Sequence, residues 1–221
     1  MFGQVEVVDD VSGRFAAEVI DAFIDRPDAT FSLAVSGGST ARRCYERLAV
    51  DGAEAIDWWA VDLYWGDERC VDPDSPQSNQ RLVREALLER VGAANEVHPM
   101  RCEEGPEPYQ LKISALPAID VIHLGMGPDG HTASLFPASP ALDADAGRLV
   151  VMNEDPSGLN AYRRMTFTFS AIARARSVII TIEGDDKRDA FSKVRAGEDL
   201  PVARVRAPRV LWLVDRAAGE G

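Results

Sequence analysis

Residues 119–137 hold the side chains best suited to chemistry. An apolar run from Ile119 to Leu124, broken only by Asp120 and His123, predicts a buried strand. Gly125, Gly127 and Gly130 then end regular structure, and Pro128 fixes the turn between them. His131 follows the last glycine, and Asp129 lies two positions before it. A neutral imidazole is a natural general base near neutral pH, because its ordinary pKa is about 6.5. Asp129 would orient that imidazole or hold a substrate hydroxyl, and the sequence leaves both roles open. Thr132 and Ser134 are placed to begin a short helix. A histidine lifted on a glycine loop off the C-terminal end of a strand sits where open α/β sheets bind ligands.

The second site is Ser36-Gly37-Gly38-Ser39-Thr40, directly after an apolar strand at Phe31–Val35. Gly37 and Gly38 let the backbone approach an anion, Ser39 and Thr40 add hydroxyl donors, and a helix over 41–49 adds its positive dipole end. The loop lacks the spacing and lysine of a P-loop, so a nucleoside triphosphate is not implied. Lys187, in the first turn of a helix running from 183 to about 196, opposes the helix dipole, a local violation that points to function. No GxSxG elbow is present. His98, His123 and His131 are far apart, and Asp129 with His131 supplies at most two ligands where catalytic zinc generally takes about three from protein. Chemistry at the histidine without a serine nucleophile, metal or cofactor is therefore expected. His123 is expected to be a hydrogen-bonded core residue.

These groups need a scaffold. Strands are predicted at 5–8, 31–35, 60–65, 97–99, 119–124, 165–169, 177–182 and 210–214. Helices are predicted at 12–25 (capped by Ser12), 41–49, 77–90 and 109–116, and after residue 183. The alternation implies an α/β fold: a single domain over 1–221, with a mostly parallel, Rossmann-like sheet and helices on both faces. Four polar loops, 36–40, 66–69, 125–131 and 183–187, should then gather at the C-terminal edge of the sheet. Residues 153–160 read as a polar, turn-rich flap.

Lys and Arg total 24 against 36 Asp and Glu, a net charge of −12. Such a chain is a poor partner for nucleic acid or an anionic membrane. A phosphorylated substrate would oblige it to concentrate its cations locally. No apolar run approaches the ~20 residues of a membrane span. The start, MFGQVEVVDD, does not resemble a signal peptide, and the AAGEG tail is expected to fray. Cys44, Cys70 and Cys102 are odd in number and widely spaced, which suggests free thiols in a reducing cytoplasm. Oligomeric state is left open.

GMGPDGHTASLFP resembles the signature of the 6-phosphogluconolactonase family, within the larger group that includes glucosamine-6-phosphate deaminases. SGGST matches that family's phosphate loop, with Ala41 where proline is usual. WGDER followed by Ser78-Asn79 matches a third segment, although from charge alone Asp67-Glu68-Arg69 reads as a solvated turn. The resemblance implies that Arg69 helps hold the substrate. It also matches Arg164, ahead of a strand, with Ala161 and Tyr162 in place of the family's prolines. The similarity runs from about residue 31 to 191. It implies hydrolysis of a sugar-phosphate lactone: His131 takes a proton from water and then protonates the departing ring oxygen, while a cation or loop N–H stabilises the oxyanion. Asp129, Gly37, Gly38, Ser39, Thr40, Arg69, Arg164 and Lys187 complete the expected site. The rival readings are an isomerase/deaminase of the same group, which needs a further base, and a non-catalytic sugar-phosphate sensor, which needs no histidine base.

Overall fold

The structure, a computed structural model, describes residues 3–219. Its first half runs through β1 (Gln4–Val7), α1 (Val11–Ile24), β2 (Phe31–Val35), α2 (Ser39–Asp51), β3 (Val61–Trp65) and β4 (Asp67–Arg69). Then come α3 (Asn79–Val83), a wider π turn (Arg84–Leu88), α4 (Glu89–Val91), β5 (Glu96–His98) and α5 (Pro106–Ala115). The second half holds β6 (Ile119–Gly125), β7 (Val150–Asn153), β8 (Arg164–Phe167), α6 (Phe169–Ile172) and β9 (Ala175–Ile182). It closes with α7 (Arg188–Arg195), β10 (Arg209–Val214) and α8 (Arg216–Gly219).

Seven strands form a parallel sheet in the order β1-β10-β9-β6-β2-β3-β5, flanked by helices. The central strands are runs of Val, Ile and Leu buried on both faces, as a covered parallel sheet requires. Each fully buried aliphatic side chain contributes about 1.5–3 kcal/mol through removal from water. From β2 the chain steps outward to β3 and β5, then returns to β6 on the other side of β2 and continues to β9 and β10. The strand order thus reverses between β2 and β6, where a crevice opens at the strands' C-terminal ends.

That junction pairs over a short register, Leu33 with Val121 and Ala34 with Ile122. Side chains extend it. The Asp120 carboxylate accepts from Ser32 N and Oγ at 2.8 Å, and Asp120 N donates back to Ser32 Oγ at 2.9 Å. At the other end, Ser36 Oγ donates to the His123 carbonyl at 2.8 Å. The His123 ring is fully buried between Tyr45 Oη (2.8 Å, at Nδ1) and Thr181 Oγ1 (2.9 Å, at Nε2). It is the hydrogen-bonded core residue expected.

Several expectations change. Residues 66–69 are not simply a loop: β4 pairs with β8, and β8 with β7, in a small antiparallel sheet. Gly66 is the hinge, donating to Val35 O and accepting from Phe167 N, each at 2.8 Å. Asp10, not Ser12, caps α1 by accepting from Gly13 N. The helix expected at 109–116 begins at Pro106, whose fixed φ suits a first helical position. β8 ends at Phe167 because Thr168 caps α6. No helix follows His131: Thr132 bridges Leu135, and the Thr132 hydroxyl donates to Gly125 O at 2.8 Å. Of the tail, Ala217, Ala218 and Gly219 are helical; Glu220 and Gly221, like Met1 and Phe2, lie outside the described residues.

The cysteine reading also changes. Cys70 and Cys102 form a disulfide with Cα atoms 5.4 Å apart, and Cys44 is the buried free thiol. β3 and β5 are neighbours, so the segments that follow them meet despite a separation of 32 residues. No helix of the described residues is long and apolar enough to cross a membrane.

Candidate active site

At the crevice between β2 and β6 lies a cavity of about 280 Å³. Three of the four predicted loops, together with β4 and Arg164, bring every sequence-predicted site residue except Asp129 to its lining. Asp129 stands directly behind His131: its Oδ1 lies 2.6 Å from His131 Nδ1 and also accepts the His131 backbone N–H at 3.1 Å. A carboxylate can only accept, so Nδ1 carries the proton and the lone pair of the neutral ring lies on Nε2. Among the described residues nothing hydrogen-bonds Nε2. The His131 side chain is 20% exposed and that of Asp129 27%. Burial works to raise the Asp129 carboxyl, but the hydrogen bond and charge of His131 outweigh it and hold the group below the usual carboxylate range.

Gly127 makes this pairing possible. A Cβ there would lie 2.1 Å from His131 Nδ1 and 2.7 Å from Asp129 Oδ1. The loop is closed by Gly127 N donating to His131 O at 2.8 Å and Gly130 N to Gly127 O at 2.9 Å. The Phe136 ring packs against the His131 imidazole, 5.0 Å between centroids, and lies 5.9 Å from the Arg164 guanidinium carbon.

Opposite stands the SGGST loop. Gly38 caps α2 with no side-chain hydrogen bond, so the first N–H groups of this helix remain available to an anion. Gly37 admits Asn79 beneath the loop: a Cβ would fall 1.8 Å from Asn79 Oδ1. Arg43, one turn along, donates to Glu183 at 2.5 Å and to Thr40 Oγ1 at 3.3 Å, tying α2 to the segment that carries Lys187. Lys187 ends a short 3-10 turn and pairs with Asp186 at 2.8 Å; the regular helix begins one residue later.

Arg69 and Arg164 face each other across the β4–β8 ladder. Arg69 Nη1 donates to Gln77 O at 2.6 Å, and Arg164 donates to Ala161 O at 3.0 Å and Tyr162 O at 3.3 Å. Burial lowers the Arg164 pKa first and the charge of Arg69 lowers it further, against Asp67, Glu68 and Asp155. Two neighbouring guanidiniums, one buried, form a pocket that gains from an incoming dianion.

Asp67 and Glu68 are not a solvated turn. Glu68, 2% exposed, accepts the backbone N–H groups of Arg69, Asn79 and Gln80 at 2.7–2.8 Å and the Ser78 hydroxyl at 3.2 Å, so it anchors the start of α3. Burial nevertheless raises its pKa. Asp67 lines the cavity with both carboxylate oxygens engaged, one by Ser134 Oγ at 2.6 Å and one by Asn79 Nδ2 at 3.2 Å. Sequence reasoning missed Asp67 and Asn160 as lining residues. Asn160 is held by Asp155, whose Oδ2 accepts its backbone N–H at 2.9 Å and its amide at 2.8 Å. The signal was the pattern of Asp155, Ser157 and Asn160, an aspartate turn within the flap segment. Among the described residues no three His, Cys, Asp or Glu side chains group to hold a metal ion.

An anion-attracting cavity with a histidine–aspartate pair, at the switch point of a parallel sheet, is the class that this geometry defines. The family model for glucosamine-6-phosphate isomerases/6-phosphogluconolactonase matches residues 4–212. A 6-phosphogluconolactonase of Synechocystis is 38% identical, the match covering 91% of this chain and 88% of that protein. One of Mycobacterium tuberculosis is 35% identical over 84% of this chain and 83% of its own. The crystal structure of 6-phosphogluconolactonase from Leishmania guyanensis has a TM-score of 0.85 at 30% identity, covering 100% of this chain and 99% of that one. The chain belongs to the glucosamine-6-phosphate isomerase/6-phosphogluconolactonase family.

Proposed function

We propose that the protein hydrolyses 6-phosphogluconolactone to 6-phosphogluconate, the lactone-opening step of the oxidative pentose phosphate pathway, with the whole chain acting as one domain. The observation that carries this reading is His131, paired with Asp129 and with no partner at Nε2 among the described residues, in a cavity that also holds Arg69, Arg164, Lys187 and the SGGST loop. The phosphate binds the loop N–H groups and the cations, which sets the lactone carbonyl near Nε2. Nε2 takes a proton from water as the oxygen attacks the carbonyl carbon, and Asp129 stabilises the imidazolium that forms. Charge on the carbonyl oxygen is met by a loop N–H or a guanidinium. The tetrahedral intermediate collapses by breaking the ring C–O bond, and the imidazolium returns its proton to the departing oxygen. We place the reaction in the cytoplasm, where the Cys70–Cys102 bridge would meet a reducing pool.

The isomerase/deaminase reading needs a second base. Asp67 is the carboxylate in place for it, but Ser134 and Asn79 occupy both its oxygens, which disfavours that chemistry. The deciding experiment is turnover of 6-phosphogluconolactone by the purified protein, above spontaneous hydrolysis and after dialysis against a chelator. Activity restored only by added metal would replace the metal-free mechanism. Ammonia release from glucosamine 6-phosphate with no lactone turnover would replace the reading itself.

A further inference from the structure

Arg69 reaches the cavity from the last position of a three-residue strand, a slight support for a guanidinium that must grip an anion. Its Nη1 leans on Gln77 O, and its buried Nε meets no acceptor among the described residues. The active cavity lies on one side of it. On the other lies a second hollow of about 230 Å³, lined by Arg69 itself, Val71, Met100 and Cys102. Arg69 thus borders two open spaces. The next residue, Cys70, donates its N–H to Arg163 O at 2.8 Å, and its sulfur is bonded to Cys102. Cys102 begins the 3-10 turn Cys102–Glu104, just beyond β5. The bond therefore ties the arginine-bearing strand to the segment that follows the edge strand of the main sheet. Neither sulfur lines the active cavity, so any effect of the bond on chemistry passes through the Arg69–Cys70 backbone.

We propose that the Cys70–Cys102 disulfide is a positioning device for Arg69, so that its reduction weakens the grip on the substrate's phosphate and leaves the Asp129–His131 pair working. The proposal rests on the reading of Arg69 as a phosphate ligand. Reduction needs a dithiol: its two thiols supply two electrons and two protons, the Cys70–Cys102 S–S bond becomes two thiols, and the dithiol closes to its own disulfide. The segment 71–77, tied by Arg81 and Arg84 at Asp74, then loses its anchor at Cys70, and Arg69 can turn toward the rear hollow.

The test uses the whole protein, purified without reductant and assayed before and after dithiothreitol. Thiol titration of the unreduced, denatured protein should find Cys44 alone; three thiols would show that the bond does not form and would overturn the proposal. Reduction should raise KM for 6-phosphogluconolactone about tenfold, the loss of one charge-assisted contact, with kcat changed less than about twofold. KM for unphosphorylated glucono-δ-lactone should not move. The double variant Cys70→Ser/Cys102→Ser should show the raised KM without dithiothreitol and no further response to it. An unchanged KM on reduction overturns the proposal. So does an equal change on both lactones, or loss of near-ultraviolet circular dichroism in both the reduced protein and the double variant, because the bond would then be a general staple. Arg69→Ala separates the two readings. A raised KM in Arg69→Ala, with no effect of reduction on the parent protein, overturns the bridge alone, whereas an unchanged KM in Arg69→Ala overturns the phosphate reading and the proposal with it.

Discussion

His131 gives one ring nitrogen to Asp129 and leaves the other to the cavity, and this division depends on a residue with no side chain. With hydrogen at Gly127, Nδ1 and the carboxylate can close to 2.6 Å. A methyl group there would stand inside the van der Waals contact distance of both. Gly127→Ala should therefore behave as a weakened form of His131→Ala, displacing the imidazole rather than removing it. For His131→Ala, loss of the general base predicts a fall in kcat of about 10²–10⁴-fold, with the fold intact. Gly127→Ala should lose at least about tenfold in kcat while KM changes little, since a small misplacement of a catalytic group is costly. Steady-state kinetics, with the spontaneous rate subtracted, would check both; near-full activity in His131→Ala would remove His131 as the base, and near-full activity in Gly127→Ala would show that the pair shifts to accept a methyl group.

At the scale of elements, the small sheet β4–β8–β7 brings two arginines together, and the SGGST helix terminus faces the same cavity. Such an arrangement has a purpose only if the ligand brings negative charge. The unphosphorylated lactone should accordingly show kcat/KM lower by at least about 100-fold, the equivalent of losing two charge-assisted hydrogen bonds. Equal efficiency on both lactones would mean that the loop and cations bind something else. Glu68 holds the other side of this arrangement. Glu68→Ala leaves three backbone N–H groups and a hydroxyl without their acceptor, and should lower stability by at least about 2 kcal/mol in urea unfolding. A loss under about 0.5 kcal/mol would show that water replaces the carboxylate.

These elements were unequally legible in the sequence. The central strands announced themselves because burial on both faces leaves runs of Val, Ile and Leu. β4 could not be seen, because Asp67, Glu68 and Arg69 are charged residues whose partners lie far along the chain, at Ser134, Asn79 and Arg164. The disulfide was hidden for the same reason, since only the pairing of β3 with β5 brings its two halves together. The site was legible where local spacing carries it, at 36–40 and 125–131. It was not legible where it depends on tertiary contact, as at Asp67 and at Asn160 in its Asp155 turn. The expected helix after His131 failed because the Thr132 and Ser134 hydroxyls serve Gly125 and Asp67 instead of capping.

Across the whole molecule, a net charge of −12 surrounds a cavity that gathers three cations, so the protein separates its charge by position rather than by composition. The core that keeps this arrangement contains His123, a titratable group whose ring meets hydroxyls and no charged partner. Full burial between Tyr45 and Thr181 pushes its pKa down to about 3. In the unfolded chain an imidazole titrates near about 6.5. The folded state holds His123 neutral where the unfolded state takes up a proton. The stability this group contributes is therefore fully present above about pH 6.5 and is lost as pH falls from there toward about 3, at about 1.4 kcal/mol per pH unit. Between pH 7 and pH 5 that amounts to about 2 kcal/mol. His123→Gln keeps an amide within reach of the same hydroxyls and does not titrate. It should be less stable than the parent at pH 7, and its own loss on going to pH 5 should be smaller by about that amount. Urea midpoints for both proteins at the two pH values decide the matter, and equal losses would mean that His123 is already charged, or already hydrated, in the folded core.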